Sequence, residues 1–239
     1  RVELGDDARA ALSAANKEGR GPSRYFTAAM DQQLRARRAL ERDLGGAIER
    51  GELLLDYQPL ARANGEIVGF EALVRWRHPT RGLVPPDKFI PLAEETGLIV
   101  PLGEWVLRKA CYDAATWPEH LKLAVNLSSV QFRKSDLASV VGNALAESGL
   151  SPQRLELEVT ESVLLENNEE NTSVLHRLRE RGISIALDDF GTGYSSLSYL
   201  LSFPFDKIKI DRSFVANLCT RADCAAIVSA ITGIARNMD

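Results

Sequence analysis

From residue 53 onward the chain alternates short strand-like runs with longer helical ones, and that alternation leaves few folds open to it. Six strand-like segments fall at 53–60, 66–76, 121–127, 154–160, 183–188 and 206–211. Helical segments fall at 86–97, 102–116, 135–148, 169–181, 194–202 and 221–237, with Gly182 closing the one before the fifth strand. Strands separated by helices make βαβ units and a largely parallel sheet, so the chain reads as an α/β protein. The first two strands are the exception, because Ala63-Asn64-Gly65 between them is a hairpin signal. A closed (β/α)8 barrel takes about 250 residues. The 239 residues present allow one only if nearly all of them take part.

The segments ahead of residue 53 are different. Residues 6–18 are Ala-rich and read as a helix capped by Asp6 or Asp7 and stopped by Gly19, Gly21 and Pro22. A second helix is expected over 28–50, with Met30, Leu34, Leu40, Leu44 and Ile48 along one side. Arg35, Arg37 and Arg38 lie among acidic neighbours and read as its solvated face.

Composition narrows the function classes. Lys and Arg number 29 against 33 Asp and Glu, a net charge of −4, which offers no basic stripe for a nucleic-acid polymer. Cys111, Cys219 and Cys224 have no C-x-x-C spacing and fit a reducing compartment, so a cytoplasmic location is expected. No apolar run approaches the ~18 residues of a membrane span, although a longer parent protein could be tethered. The start at Arg1, without an initiator Met or a leader pattern, suggests a piece of a longer protein.

Period-two alternation places polar groups on one face of most strands. Glu71 and Arg75 share a face in the second strand, Lys122, Ala124 and Asn126 in the third, and Glu156, Glu158 and Thr160 in the fourth. Ser184, Ala186 and Asp188 follow in the fifth, and Lys207, Lys209 and Asp211 in the sixth. Helix-covered parallel strands are normally apolar on both faces, and ligand sites in such folds sit beyond the strands' C-terminal ends. Glu71, Asn126, Glu158, Asp188, Asp189, Lys209 and Asp211 would therefore converge on one mouth. Buried charges must pair or hold a cation. Mutual pairing, with Lys209 and Arg75 as counter-ions, is the plain alternative. The carboxylates and the amide are hard oxygen donors suited to Mg2+ or Mn2+, which is the reading preferred for so many strands at once. His78, His120 and His176 lie off the mouths, and Trp76, Trp105 and Trp117 read as packing residues.

The ordered segments Tyr57-Gln58-Pro59, Phe70-Glu71-Ala72-Leu73-Val74-Arg75-Trp76, Phe89–Ile99, Val125-Asn126-Leu127-Ser128, Glu158-Val159-Thr160-Glu161-Ser162, Asp188–Leu197 and Lys209–Phe214 resemble the EAL domains, which hydrolyse cyclic di-GMP. The resemblance covers about 40–239. It implies a modified TIM (β/α)8 barrel with an antiparallel first strand. It also implies one or two Mg2+ or Mn2+ ions held by Glu71, Asn126, Glu158, Asp188 and Asp189, with Ca2+ binding and inhibiting. Glu71, Lys209 and Asp189 would be catalytic, Lys209 orienting or activating the attacking water. Gln58, Leu73, Arg75 and Asp211 would contact the dinucleotide, and Glu161 would anchor the loop beginning at Asp189. The implied product is linear 5′-pGpG.

The first segment, Asp7–Arg24, resembles the closing helix of a GGDEF domain, which divides the chain into that remnant (1–24), a linker helix (25–50) and the EAL domain (51–239). An upstream GGDEF or sensor module and a homodimer are the partners expected with it. The family pattern also calls for a further glutamate and the last strands after Asp239, so the barrel in these residues is expected to be C-terminally incomplete. Two rivals remain: a degenerate EAL module that binds cyclic di-GMP as a receptor, and an unrelated Mg2+ barrel of the enolase type. The first would normally have lost some of the residues named above. The second leaves the run after Asp188 unexplained.

Overall fold

The computed structural model describes residues 28–165, 168–191, 203 and 205–237. The expected helices over 6–18 and 194–202 lie outside the described residues. Seven strands form one sheet: β1 (Leu53–Ala61), β2 (Ile67–His78), β3 (Gly82–Val84), β4 (Lys122–Leu127), β5 (Leu155–Thr160), β6 (Ser184–Phe190) and β7 (Lys207–Ile210). All six expected strands are present. The one missed, β3, is three residues long and pairs with the end of β2, too short for any periodicity to announce it.

The sheet order is β1-β2-β4-β5-β6-β7, with β1 antiparallel to β2 and every later neighbour parallel. This matches the modified-barrel order expected. The hairpin turns at Gly65, whose φ is 84° and whose N–H donates to Arg62 O at 2.9 Å, while Asn64 Oδ1 accepts from Glu66 N. Gly69 serves a different purpose. A Cβ there would stand 2.4 Å from the backbone oxygen of Lys122, so only glycine lets β2 lie against β4 at this point.

Helices alternate with the strands: α1 (Ala28–Gly45), α2 (Pro86–Thr96), α3 (Ile99–Ala115), α4 (Ser129–Lys134), α5 (Leu137–Ser148), α6 (Glu161–Leu165), α7 (Asn168–Glu180), α8 (Arg212–Ala216) and α9 (Ala222–Asn237). The helix expected over 135–148 begins at Leu137, capped by Asp136, and α4 precedes it as a separate turn. A capping box starts α4: Ser128 Oγ accepts from Val130 N, and the Gln131 side chain accepts from Ser128 N. Short helices of this kind, α4, α6 and α8, escaped the sequence reading because five or six residues carry less than two turns of periodicity.

The aliphatic faces of β4, β5 and β6 (Leu123, Val125, Leu155, Leu157, Val159, Ile185, Leu187), with Ile183 just ahead of β6, are buried with Leu107, Ala110 and Ala114 of α3, Val141 of α5 and Leu178 of α7. That core is the apolar side of the strands, and it frees their other side for polar groups. Residues of α1 and the turn after it join the same core. Leu44 and Ala47 are buried, and His78 Nε2 donates to Asp43 Oδ2 at 3.2 Å. The donor is Nε2 because Nδ1 accepts from the backbone N–H groups of Thr80 and Arg81. His78 is the last residue of β2. The helix expected to run to residue 50 stops at Gly45, and tight turns replace its last five residues.

Candidate active site

Each strand delivers its polar residue to one side of the sheet by register. Glu71 of β2 aligns with Ala124 of β4, and Asn126 aligns with Glu158 of β5. Thr160 aligns with Asp188 of β6. Small residues at Ala124 and Ala186 leave room between the longer side chains. Lys209 of β7 reaches back over β6, and its Nζ donates to Glu158 Oε2 at 2.5 Å, Asp188 Oδ2 at 3.1 Å and Glu71 Oε2 at 3.4 Å. Asn126 Nδ2 donates to Glu71 Oε1 at 2.8 Å. Five of the expected residues are therefore brought together, three carboxylates around the Lys209 ammonium and Asn126 bonded to one of them.

The electrostatics follow from burial. The Glu158 side chain is fully buried, and burial pushes its carboxyl up to about 7 despite the hydrogen bond and charge of Lys209. Burial alone would depress Lys209. The Glu158 hydrogen bond and the charges of Glu158, Glu71 and Asp188 outweigh it, so the ammonium is held above its ordinary range. The second oxygen, Glu158 Oε1, is buried without a hydrogen-bond partner.

Asp189 departs from the strand rule. Its φ of 53° puts it in the left-handed region, the one described non-glycine residue that is so. The pairing of β6 with β7 slips between Leu187 and Phe190. The backbone therefore already turns at Asp189, before the loop that follows β6. The consequence is that Asp188 and Asp189 are no longer forced to opposite faces. Desolvation, then the charges of Asp188 and Asp211, pushes the Asp189 carboxyl up. Glu161 Oε1 accepts from Gly191 N at 2.9 Å, a direct tie between α6 and the start of that loop. A Cβ on Gly191 would meet the Phe214 ring at 2.9 Å.

The other expected residues border this cluster. Gln58 stands directly opposite Glu71 across the β1–β2 ladder. Leu73 and Arg75 line a cavity of about 300 Å3 with Glu94, Asn126, Ser128 and Thr160. Arg75 Nε donates to Asp56 Oδ2 at 2.8 Å, and Ser128 Oγ donates to Glu94 Oε1 at 2.7 Å. Asp211 caps α8, its Oδ1 accepting from Ser213 N at 2.9 Å. Asp56 and Glu94 were not singled out from sequence. Asp56 could have been found, because it lies two residues from Gln58 and so shares its strand face.

A divalent cation needs hard oxygens and an open coordination position. The donor set fits: three carboxylates and an amide meet here, and Glu158 Oε1 is a buried oxygen with nothing bonded to it. Among the described residues no three His, Cys, Asp or Glu side chains frame an ion position as they stand. The Lys209 ammonium lies where their oxygens converge.

A family profile described as the EAL domain matches residues 39–239. The chain belongs to the EAL family. It is 44% identical over 244 residues to the bifunctional diguanylate cyclase/cyclic di-GMP phosphodiesterase MucR of Pseudomonas aeruginosa, a match covering 100% of this chain and 36% of that protein. It is 42% identical over 241 residues to the cyclic di-GMP phosphodiesterase NbdA of the same organism, covering 99% of this chain and 31% of that one. Among solved structures, the PaMucR phosphodiesterase in complex with c-di-GMP superposes with a TM-score of 0.80 at 46% identity, covering 84% of this chain and 83% of that one. The EAL chain described here spans about a third of the length of the curated relatives it matches. No helix among its described residues is long and apolar enough to cross a membrane.

Proposed function

We propose that this EAL domain is a metal-dependent phosphodiesterase that opens cyclic di-GMP to linear 5′-pGpG. The observation that carries the reading is the convergence of Glu71, Asn126, Glu158, Asp188 and Lys209 on one point at the strand ends. A phosphodiester is anionic and resists neutral water. One or two Mg2+ or Mn2+ ions, held by Glu71, Asn126, Glu158, Asp188 and Asp189, would supply activated water and offset charge building on phosphorus.

The chain's own groups do the rest. Lys209 donates hydrogen bonds in a fixed direction and orients the attacking water. Arg75 presents guanidinium N–H groups toward an anionic or purine ligand from the edge of the cavity, with Asp56 fixing its orientation. Gln58, Leu73 and Asp211 complete the contacts to the dinucleotide. Glu161 holds Gly191 and so sets the path of the loop that carries Asp189. Calcium, larger and less demanding in geometry, would bind the same oxygens and inhibit. An upstream GGDEF module and a second copy of the chain are the partners this reading implies. Its natural setting is the cytoplasm, in keeping with three unpaired cysteines.

The receptor reading has one observation in its favour: Lys209 already neutralises part of the cluster, as binding without turnover would allow. Incubation with cyclic di-GMP and Mg2+, followed by separation of nucleotides, decides between them. Linear dinucleotide should form, Glu71→Ala should reduce its rate by orders of magnitude, and Ca2+ should suppress it. Tight binding with no product would refute the enzyme.

A further inference from the structure

Beneath the contact between Glu158 and Lys209 lies a second one that the chemistry above leaves unused. Glu156 precedes Glu158 by two residues on β5, and Lys207 precedes Lys209 by two on β7, so each shares its successor's strand face. Lys207 Nζ donates to both Glu156 oxygens at 2.7 Å. The Glu156 side chain is 4% exposed and that of Lys207 48%. The two strands are not neighbours. β6 lies between them and presents Ser184 and Ala186 at the crossing, side chains small enough for the lysines to pass.

Register makes this pairing informative. Glu158 and Lys207 are both aligned with Ala186, so the β5 glutamate level with Lys207 is Glu158. Glu156 sits two residues further back, about 6.6 Å along a parallel strand. Lys207 nevertheless leans back to Glu156, and Lys209 leans back by the same step to Glu158. Around Lys209, three carboxyl groups face one ammonium, which leaves the cluster a surplus of acidic groups for an incoming divalent cation. A second ammonium at Glu158 would offset that surplus and would compete for the bare oxygen Glu158 Oε1.

We propose that Glu156 is a positioning residue that holds the Lys207 ammonium one step below the carboxylate cluster and so keeps a second positive charge out of the divalent-cation site. This rests on the metal reading given above. Residues that act through metal ligands typically change affinity by about 10–100-fold.

The test measures Mn2+ affinity by the electron paramagnetic resonance signal of free Mn2+, with a thermal melt of each variant. The unsubstituted 239-residue chain, Glu156→Gln and the double variant Glu156→Gln/Lys207→Met are compared. Glu156→Gln should weaken Mn2+ binding about tenfold or more, and adding Lys207→Met should restore it to within about threefold. A merely structural role would not give that rescue. The proposal is overturned if Glu156→Gln binds Mn2+ as the unsubstituted chain does, or if the double variant stays as weak as the single. No Mn2+ binding by the unsubstituted chain would overturn the metal reading and this inference together. If Glu156→Gln does not melt cooperatively, Glu156→Asp replaces it. It keeps the anion and should bind Mn2+ within about threefold of the unsubstituted chain, whereas a tenfold loss overturns the proposal.

Discussion

Replacing Lys209 by methionine removes the ammonium around which the carboxylates of the site gather. The substitution removes the partner of Glu158, whose side chain is fully buried, and of Asp188 and Glu71, while keeping much of the stem's volume. Stripping one member from a buried ion pair costs about 3–5 kcal/mol. For a domain of this size each kcal/mol moves Tm by about 2–4 °C, so a fall of about 6–20 °C is expected in metal-free buffer. The cost should depend on pH. Glu158 is raised to about 7 in the folded state, so the fold binds its proton more tightly than the unfolded chain does. Its contribution is therefore harmless at low pH, and a penalty accrues as pH rises through the folded value. Lys209 lowers that value through its hydrogen bond and charge. In the variant it goes higher, and the loss of stability continues to higher pH. Urea denaturation of both proteins between pH 6 and 8.5 should show the gap widening as pH rises. Millimolar Mg2+ should then stabilise the variant more than the unsubstituted chain, since three carboxylates have lost their competing cation. A gap that is constant with pH, or below about 1 kcal/mol, would refute the account of Lys209 as the counter-ion of a buried carboxylate.

Two further outcomes concern the scaffold. Gly69→Ala places a methyl 2.4 Å from a backbone oxygen that cannot rotate away, and should cost about 1–3 kcal/mol in a thermal or chemical melt. In the folded chain one thiol should react quickly with a disulfide reagent at pH 8, that of exposed Cys219. Buried Cys224 and Cys111, whose thiol is pushed up to about 12 by burial, should respond only on unfolding.

The strand order was legible because two simple periods carried it. Alternation of strand and helix implied the parallel sheet, and Asn64-Gly65 implied the single reversal between β1 and β2. What stayed hidden were elements whose length is below the reach of any period, such as Gly82–Val84, Ser129–Lys134 and Arg212–Ala216. The early end of α1 was hidden for another reason. The stripe running to Ile48 satisfies a helix, but the chain must enter β1 at Leu53, and the stretch from Gly46 to Gly51 closes in turns that bury Ala47 instead. Local propensity agrees with that boundary, because Gly45 and Gly46 each disfavour a helix by about 1 kcal/mol; the apolar stripe continuing to Ile48 masked it.

The site shows the same division at finer scale. Which residues face the mouth follows from strand parity, so Glu71, Asn126, Glu158, Asp188 and Lys209 could all be named from sequence. Which of them touch could not. Lys209 is bonded to a glutamate two strands away as well as to Asp188 on the neighbouring strand, because the small side chain of Ala186 leaves a passage over β6. Asp189 is the sharper case. Parity sends it away from Asp188, but β6 carries one residue more than β7 between Leu187 and Phe190, and Asp189 takes up that bulge in the left-handed region. Asp and Asn tolerate that region better than other side chains, which makes Asp at this position compatible with a turn as well as with a ligand. The strain of holding it there is of order 1–3 kcal/mol. It is borne where the backbone leaves β6, next to the Gly191 N–H that Glu161 fixes. A left-handed Asp where β6 ends, next in sequence to Asp188 of the buried carboxylate cluster, marks the point at which strict strand alternation gives way, and with it the rule that adjacent carboxylates must face opposite sides.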